Sequence, residues 1–435
     1  MSVHSDVYRR KRITPRKAVS RIRNGDTIVH GLTIAEPPAL LNAIADRVRG
    51  DSLRDIKVYS LLPLAHASNS VLALELADRV RAHSWFVSGP TRGLVGVGLQ
   101  YYIPNYFHQI PRLCRDYMKI DYTVTTVSPM DNAGYFSFGT ANDFTSTAAR
   151  HCRKLIVEVN ENMPRVFGDS LLHISEVDAI VENTVPLQEM PPPPLRPEDE
   201  KIGRFIAEMI PDGATLQLGL GGIPNAITRY LNNHRDLGIH TEVFSPGMVD
   251  LIRSGVVSGS RKTLHPRKHV FTVAQGVKSM YDFMNDNPSM ESYPVSFVND
   301  PSVIARNDRM ISINSIIEVD LTGQCNAEFL GGHQFSGTGG QLDYVRGAFN
   351  AREGRSILAF YSSAKEGKIS RIVPRFKAGT VVTTPRMDTH CLVTEFGIAD
   401  LKGKSTRGRV QEIIAIAHPK FRDALFREAE RLYLV

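Results

Sequence analysis

Cysteine is scarce in this chain of 435 residues, and its four cysteines lie far apart in the sequence: Cys114, Cys152, Cys325 and Cys391. No two of them form a Cys-x-x-Cys pair, which argues against a disulfide framework and against a structural zinc site. Few, separated cysteines fit a reducing compartment. We therefore expect a cytoplasmic protein without a structural zinc site.

Long apolar runs are also missing, since no stretch approaches the roughly 18 residues that a membrane span needs. The basic N-terminal residues are not followed by an apolar segment, so they do not form a secretory signal. Glycine and proline make up only about 13% of the residues, which excludes a fibrous or low-complexity protein. The length instead suits two soluble domains of roughly 200 residues each, without a membrane partner.

The net charge of +7 requires an explanation. Binding of nucleic acid would need a concentrated basic stripe with interleaved aromatic residues. The basic clusters are short instead, at 9–12, 261–262 and 267–268, so we expect no nucleic-acid partner. Two interpretations stay open, namely solvated helix faces and a field that attracts a small polyanionic ligand.

Four consecutive prolines, Pro191–Pro194, mark a stiff linker, because proline cannot lie inside a helix or a central strand. We place this linker at 187–197, between an N-terminal domain at 1–186 and a C-terminal domain at 198–435. In both domains short β-branched runs alternate with helical patterns, which predicts an α/β fold with largely parallel sheets. One of the runs predicted as a strand is Val381–Thr384.

The two domains resemble each other in sequence, which predicts an internal duplication. Three pairs of segments match in order with a nearly constant offset: Gly25–Leu32 with Gly213–Leu220, Val58–Ser60 with Val243–Ser245, and Asp131–Gly134 with Asp320–Gly323. This alignment sets Lys57 of the first copy against Glu242 of the second. We expect the second copy to be the catalytic one.

A glycine-rich loop in the second copy, Gly219–Pro224, follows a predicted strand and precedes a predicted helix. Backbone amides at such a turn can bind a phosphate or stabilise an oxyanion, although a tight turn without a ligand has the same pattern. Glu242 ends a short predicted strand, where ligands bind in open α/β sheets. An ordinary surface glutamate is the alternative for this residue.

Several longer motifs together resemble the acetyl-CoA hydrolase/transferase family of class I coenzyme A transferases, which includes 4-hydroxybutyrate CoA-transferases. The motifs span most of the chain, at 127–137, 158–165, 219–224, 240–245, 335–348 and 394–404. The resemblance implies the coenzyme A transferase fold, with two similar α/β domains in tandem. It also implies a homodimer.

The resemblance assigns roles to individual residues. It implies that Glu242 is the catalytic glutamate that forms a thioester with CoA, and that Gly340 donates the oxyanion-hole amide. Asn299 and Glu395 are implied to face the carboxylate substrate. The implied contacts to CoA are Gly219, Leu220, Gly221, Gly222, Ile223, Ile317, Gly340 and Lys365.

The function implied is transfer of CoA between a short acyl-CoA (acetyl-, butyryl- or succinyl-CoA) and a small carboxylate such as 4-hydroxybutyrate, butyrate or itaconate. CoA is then a substrate, and neither a metal nor a permanently bound cofactor is expected. Two alternatives stay open: an acyl-CoA hydrolase, in which water intercepts the same intermediate, and a non-catalytic ligand-binding protein on a related α/β fold.

Overall fold

A computed structural model describes residues 3–219 and 221–435. These residues divide into two compact units. The first unit comprises the described residues up to Met190 together with Val270–Val298, and the second comprises those of Pro191–His269 together with Asn299–Val435. The predicted linker at 187–197 contains the division at 190/191, whereas residues 270–298 of the predicted C-terminal domain group with the first unit.

The secondary structure alternates between helices and strands. The helices are α1 Val3–Lys11, α2 Pro15–Val19, α3 Pro38–Arg49, α4 Ala65–Ser68, α5 Arg92–Gly96, α6 Ile110–Arg112, α7 Thr145–Arg150, α8 Pro197–Glu208, α9 Gly222–Ile227, α10 Pro246–Arg253, α11 Lys278–Met284, α12 Val295–Val298, α13 Pro301–Ile304, α14 Gln341–Asn350, α15 Thr406–Ala415 and α16 Pro419–Arg431. None of the helices in the described part of the chain combines the length and the apolar character that a membrane span requires.

The strands are mostly short, and many of them are preceded or followed by a helix. They are β1 Thr27–His30, β2 Ile56–Leu61, β3 Val80–Phe86, β4 Gln100–Tyr102, β5 Ile120–Val127, β6 Tyr135–Ser137, β7 Cys152–Val159, β8 Phe167–Gly168, β9 Leu171–His173, β10 Ala179–Glu182, β11 Thr215–Leu218, β12 Gly238–Phe244, β13 His269–Ala274, β14 Met290–Ser292, β15 Met310–Ser315, β16 Glu318–Asp320, β17 Cys325–Asn326, β18 Phe329–Leu330, β19 His333–Gln334, β20 Arg355–Ala359, β21 Ser363–Ala364, β22 Ile369–Ser370, β23 Ile372–Val373, β24 Cys391–Thr394 and β25 Gly397–Asp400.

The first unit is built on a parallel sheet with the strand order β10-β7-β5-β1-β2-β3-β4. Both of its faces are covered, because successive residues of β7 enter different apolar clusters. Leu155 and Val157 join one cluster, while Ile156 joins the other, which also contains Leu41 and Ile44 of α3. Burial of both faces is typical of parallel sheets in α/β proteins.

The second unit repeats this arrangement. Its strands follow the order β24-β20-β15-β11-β12, all parallel, and β25 pairs antiparallel with β24. The first sheet has the same order when β10, β7, β5, β1 and β2 are matched with these five strands. The structure therefore confirms the predicted α/β fold with two similar, largely parallel sheets.

The duplication extends to a matching turn in each unit. Oδ1 of Asp131 accepts the N–H groups of Ala133 and Tyr135, both at 2.9 Å. Oδ1 of Asp320 accepts the N–H groups of Thr322 (2.9 Å) and Gln324 (3.0 Å) in the same way. Both turns need a glycine with positive φ, which is 89° at Gly134 and 94° at Gly323.

Strand pairing corrects one part of the sequence alignment. Thr27 pairs with Lys57 in the first unit, and its counterpart Thr215 pairs with Gly238 in the second. Continued along both strands, these registers set Leu61, and not Lys57, at the position equivalent to Glu242. Short β-branched segments can be aligned in more than one register because their sequences are alike. The hydrogen bonds between strands determine which residues are equivalent in the two units.

One predicted strand is wrong. Val381–Thr384 forms only an isolated bridge, between Thr384 and Cys325. Val381 and Val382 are both 38% exposed, so the valines that suggested a strand cover no sheet. The hydroxyl groups of Thr383 and Thr384 instead bond to neighbouring side chains.

Candidate active site

Five of the predicted site residues lie along one edge of the second sheet. Its five parallel strands end at the same edge, where α/β proteins bind their ligands. From one end of this edge to the other, the residues in or after the strands are Glu242 of β12, Gly219 after β11, Ile317 after β15, Lys365 after β20 and Glu395 after β24.

Two of the predicted residues, Asn299 and Gly340, contact Glu242. The Nδ2 group of Asn299 donates a hydrogen bond of 2.6 Å to Oε2 of Glu242. The backbone N–H of Gly340 donates to the same carboxylate. Glu242 is partly accessible, while Asn299 is fully buried. The carboxylate is thus held in one orientation and can still be reached.

Position 340 accommodates only glycine, because there is no room for a side chain. A Cβ at this position would overlap Oε2 of Glu242 and Nδ2 of Asn299. Its φ of −96° is open to any residue, so conformational freedom is not the reason. Gly340 also forms the N-terminal cap of α14, so the positive end of that helix dipole faces the carboxylate.

Burial raises the pKa of Glu242 to about 7, and the nearby charge of Asp343 acts in the same direction. The hydrogen bonds from Asn299 and Gly340 oppose the rise because they stabilise the ionised form. Near neutral pH the carboxyl group is therefore close to the midpoint of its titration. A carboxyl group with a raised pKa that is also accessible at the edge of a sheet is a candidate for catalysis.

The glycine-rich loop lies next to β12. Gly219 packs closely, because a Cβ there would come within 3.0 Å of Oδ1 of Asn314. Gly221 has a φ of 127°, which favours glycine, and it precedes the first turn of α9. Ile223 is only 5% exposed, so its side chain belongs to the core. Leu220, predicted to contact CoA, lies outside the described residues.

Two arginines near this loop were missed by the sequence analysis. Arg196 and Arg371 each place their guanidinium over the ring of Tyr361, at 5.4 and 5.8 Å. The hydroxyl of Tyr361 donates to Oδ1 of Asp199 at 2.6 Å, and a Cβ on Gly222 would lie 3.4 Å from Oδ2 of the same carboxylate. Isolated arginines in a sequence carry no motif, so only the fold could reveal them.

Glu395 does not contact Glu242. Its carboxylate accepts the N–H of Ser362 at 2.9 Å and the hydroxyl of Ser362 at 2.6 Å. It follows β24, which is four strands away from β12, or about 19 Å at the usual ~4.8 Å between strands. Its predicted role toward the carboxylate substrate stays a prediction.

The two remaining predicted residues differ in exposure. The N–H of Ile317 donates to the carbonyl oxygen of Asn326 at 2.8 Å, and its side chain is partly buried. Lys365 is exposed and has a φ of 50°, in the turn between β21 and β22.

Two sequence models of one protein family match most of this chain. Sequence models of the acetyl-CoA hydrolase/transferase N-terminal and C-terminal domains match residues 2–189 and 276–429. Glu242 and the glycine-rich loop fall between the two matched segments.

Three relatives align with the chain over almost their entire length. The 4-hydroxybutyrate coenzyme A transferase of Clostridium kluyveri is 42% identical over 98% of this chain and 99% of that protein. The succinyl-CoA:cyclohexane-1-carboxylate CoA transferase of Geobacter metallireducens is 42% identical over 98% of this chain and 96% of that protein. The crystal structure of RipA from Yersinia pestis superposes with a TM-score of 0.97 at 48% identity, covering 100% of both chains.

Proposed function

The chain belongs to the acetyl-CoA hydrolase/transferase family, and we propose that it transfers coenzyme A through a thioester on Glu242. It is an acyl-CoA:carboxylate CoA-transferase, as are full-length relatives such as those of Clostridium kluyveri and Geobacter metallireducens. The observation that supports the covalent route is the contact of Glu242 with both Asn299 and the Gly340 amide.

In the first half of the reaction the ionised Glu242 attacks the carbonyl carbon of the acyl-CoA. The C–S bond then breaks, which gives an acyl-glutamyl anhydride and the CoA thiolate. The thiolate attacks the glutamyl carbonyl, releases the first acid as a carboxylate and leaves glutamyl-CoA. A second carboxylate reverses these steps and departs as the new acyl-CoA, so the atoms balance without any change of oxidation state.

The neighbours of Glu242 suit these steps. A carboxylate is a weak nucleophile, so the tetrahedral oxyanion must be stabilised by donors already in place. The N–H of Gly340, at the N-terminus of α14, is such a donor next to the reacting oxygen. Asn299 fixes the orientation of the carboxylate and lowers its pKa, which increases the ionised fraction near neutral pH.

Binding of the CoA arm is assigned to the other residues along the same edge. Amides of Gly221, Gly222 and Ile223, the exposed Lys365 and the two arginines beside Tyr361 offer donors and positive charge to the phosphates. Binding energy from this remote part of the substrate can be used to accelerate the reaction at the thioester.

The substrates proposed are acetyl-, butyryl- or succinyl-CoA as donor and 4-hydroxybutyrate, butyrate or itaconate as acceptor. The C. kluyveri relative, named for 4-hydroxybutyrate, and the G. metallireducens relative, named for a cyclic acid, support a carboxylate acceptor but not a particular one. A cytoplasmic homodimer stays a prediction.

Steady-state kinetics with both substrates tests this proposal. A covalent route with release of the first acid before the second binds predicts parallel double-reciprocal lines. Free thiol should not accumulate from acyl-CoA alone, and continuous thiol release without acceptor would identify a hydrolase instead. Binding of CoA without any turnover would favour a non-catalytic protein.

A further inference from the structure

A buried carboxylate outside the catalytic contacts lies beside the turn that carries Gly340. Glu328 is 4% exposed and follows β17. Its Oε1 accepts the hydroxyl groups of Thr338 and Thr383, both at 3.0 Å, and its Oε2 accepts Nε2 of Gln334 at 2.8 Å. One carboxylate therefore connects three points of the surrounding loops.

The backbone of Glu328 holds the same turn. Its carbonyl oxygen accepts the N–H groups of Phe335 (2.8 Å) and Ser336 (3.2 Å), which begin the segment that leads to Gly340. Glu328 thus contacts the start of the turn through its backbone and Thr338, two residues before Gly340, through its side chain.

The other side of Gly340 is fixed by Gln341. Its Oε1 accepts the hydroxyl of Thr384 at 3.1 Å, and its Nε2 donates to the carbonyl oxygen of Ser315 at 2.8 Å. The segment wrongly predicted as a strand therefore supports the turn on both sides. Thr383 bonds to Glu328 on one side, and Thr384 bonds to Gln341 on the other.

Such support is needed because the turn itself is intrinsically flexible. Gly339, with a φ of 55°, and Gly340 follow one another, and glycine restricts the backbone less than any other residue. An oxyanion donor is effective only when it is held close to its productive position before the reaction. Hydrogen bonds to Thr338 and Gln341 can supply that restraint from outside the turn.

We propose that Glu328, through Thr338, is a positioning residue that keeps the Gly340 amide directed at the reacting carboxyl group of Glu242. The proposal rests on the proposed covalent function. It predicts that loosening this contact slows the chemical step and leaves CoA binding nearly unchanged, because the amide acts mainly in the transition state.

Thr338→Val removes the hydroxyl donor with little change of shape. Thr322→Val is its matched control, because Thr322 also donates its hydroxyl to a buried carboxylate, Asp320, at 2.8 Å. Both threonines are partly buried, and Thr322 belongs to a turn that does not lead to Gly340. Thr338→Ser restores the hydroxyl and serves as the conservative rescue.

The rate of glutamyl-CoA formation in a single turnover is the first readout, measured by quenching and intact-protein mass spectrometry. We expect Thr338→Val to lower this rate about tenfold, against about 10²–10³ for complete loss of an oxyanion donor. The KM for acyl-CoA should change less than about twofold, and Thr338→Ser should recover most of the rate.

The pH profile is the second readout, which a purely structural role would not move. Because the Gly340 amide lowers the pKa of Glu242, a misplaced amide should shift the acid limb of kcat/KM to higher pH. Thr322→Val should lower the melting temperature by a similar amount as Thr338→Val and leave both the rate and the limb unchanged.

A folded Thr338→Val protein with the rate and acid limb of the unmodified protein would overturn the positioning role. An equal loss of rate in Thr322→Val would do the same, because the effect would then follow stability alone. If the unmodified protein forms no glutamyl-CoA at all, the proposed covalent function fails instead.

Discussion

The two sheets share one strand order, but they differ in the residue at the position that Glu242 occupies in the second sheet. At the position in the first unit that corresponds to Glu242, the strand register sets Leu61, which is only 3% exposed. The first unit therefore has an apolar side chain where the second has the carboxylate of Glu242. The two units thus share a scaffold, whereas a carboxylate at this position, to which we assign the reaction, is present only in the second.

Buried carboxylates in the first unit show what distinguishes Glu242. Burial raises the pKa of Glu36 to about 8 and that of Glu158 to about 7, values similar to that of Glu242. The carboxylate of Glu36 is occupied by the N–H groups of Leu64 and Ala67, at 2.6 and 3.0 Å. A raised pKa thus accompanies burial in both units. Glu242 differs in that its carboxylate is partly accessible and accepts the backbone N–H of Gly340.

The largest effect should follow from removing the carboxylate to which we assign the reaction. Glu242→Ala should lower kcat at least about 10³-fold, because no other group at the site replaces the nucleophile. CoA should still raise the melting temperature of the variant. Glu158→Gln is the control from the first unit, since it alters a buried carboxyl group of similar pKa. We expect it to keep a kcat near that of the unmodified protein, and equal losses in the two variants would contradict the distinction between them.

The next effect concerns the space at Gly340. Gly340→Ala should lower kcat about 10²- to 10³-fold, because the added methyl group displaces Glu242 and Asn299 from the amide. Gly96→Ala is the control, since a Cβ on that glycine of the first unit meets no atom within 4 Å. Circular dichroism would verify folding of both variants, and an unchanged kcat in folded Gly340→Ala would remove this residue from the site.

A smaller effect is expected from pH. The pKa of about 7 means that the nucleophilic, ionised form of Glu242 is lost as the pH falls, so kcat/KM at pH 6 should be about tenfold below its plateau. Asn299→Ala removes a hydrogen bond that lowers this pKa and should move the limb to higher pH. A flat profile between pH 6 and 8 would contradict the assignment.

The smallest effect should appear in stability. A carboxyl group whose pKa is raised on folding destabilises the folded state once the pH exceeds its unfolded value near 4.3, and this cost is complete above about pH 7. A shift of this size corresponds to about 3 kcal/mol at most, and because Glu242 is partly accessible we expect Glu242→Gln to stabilise the protein at pH 8 by about 1 kcal/mol. At pH 4 the gain should vanish, and a gain that is equal at both pH values would have another cause.

Much of the fold could be predicted from sequence because its signals are local. The prolines at 191–194 and the apolar runs of β5 and β7 indicate a linker and strands regardless of context. Two predictions were wrong, namely the alignment of Lys57 with Glu242 and the strand at Val381–Thr384. Strand register and sheet partners depend on residues that are distant in the sequence, so local patterns do not determine them.

The candidate site was predictable only where a motif marks it. Glu242 and Gly340 lie in motifs that resemble a known family, Asn299 was assigned by the same resemblance, and the structure brings the three into contact. Arg371 and Glu328 lie outside these motifs. Their roles depend on which loops the sheet brings together, and no spacing in the sequence encodes that.

The most direct test of the covalent role of Glu242 is intact-protein mass spectrometry after incubation with acyl-CoA in the absence of an acceptor acid. We expect a mass increase equal to CoA minus water, which digestion maps to the peptide containing Glu242. Glu242→Ala should give no such adduct. An adduct on another residue, or none at any acyl-CoA concentration while transfer proceeds, would contradict the covalent role of Glu242.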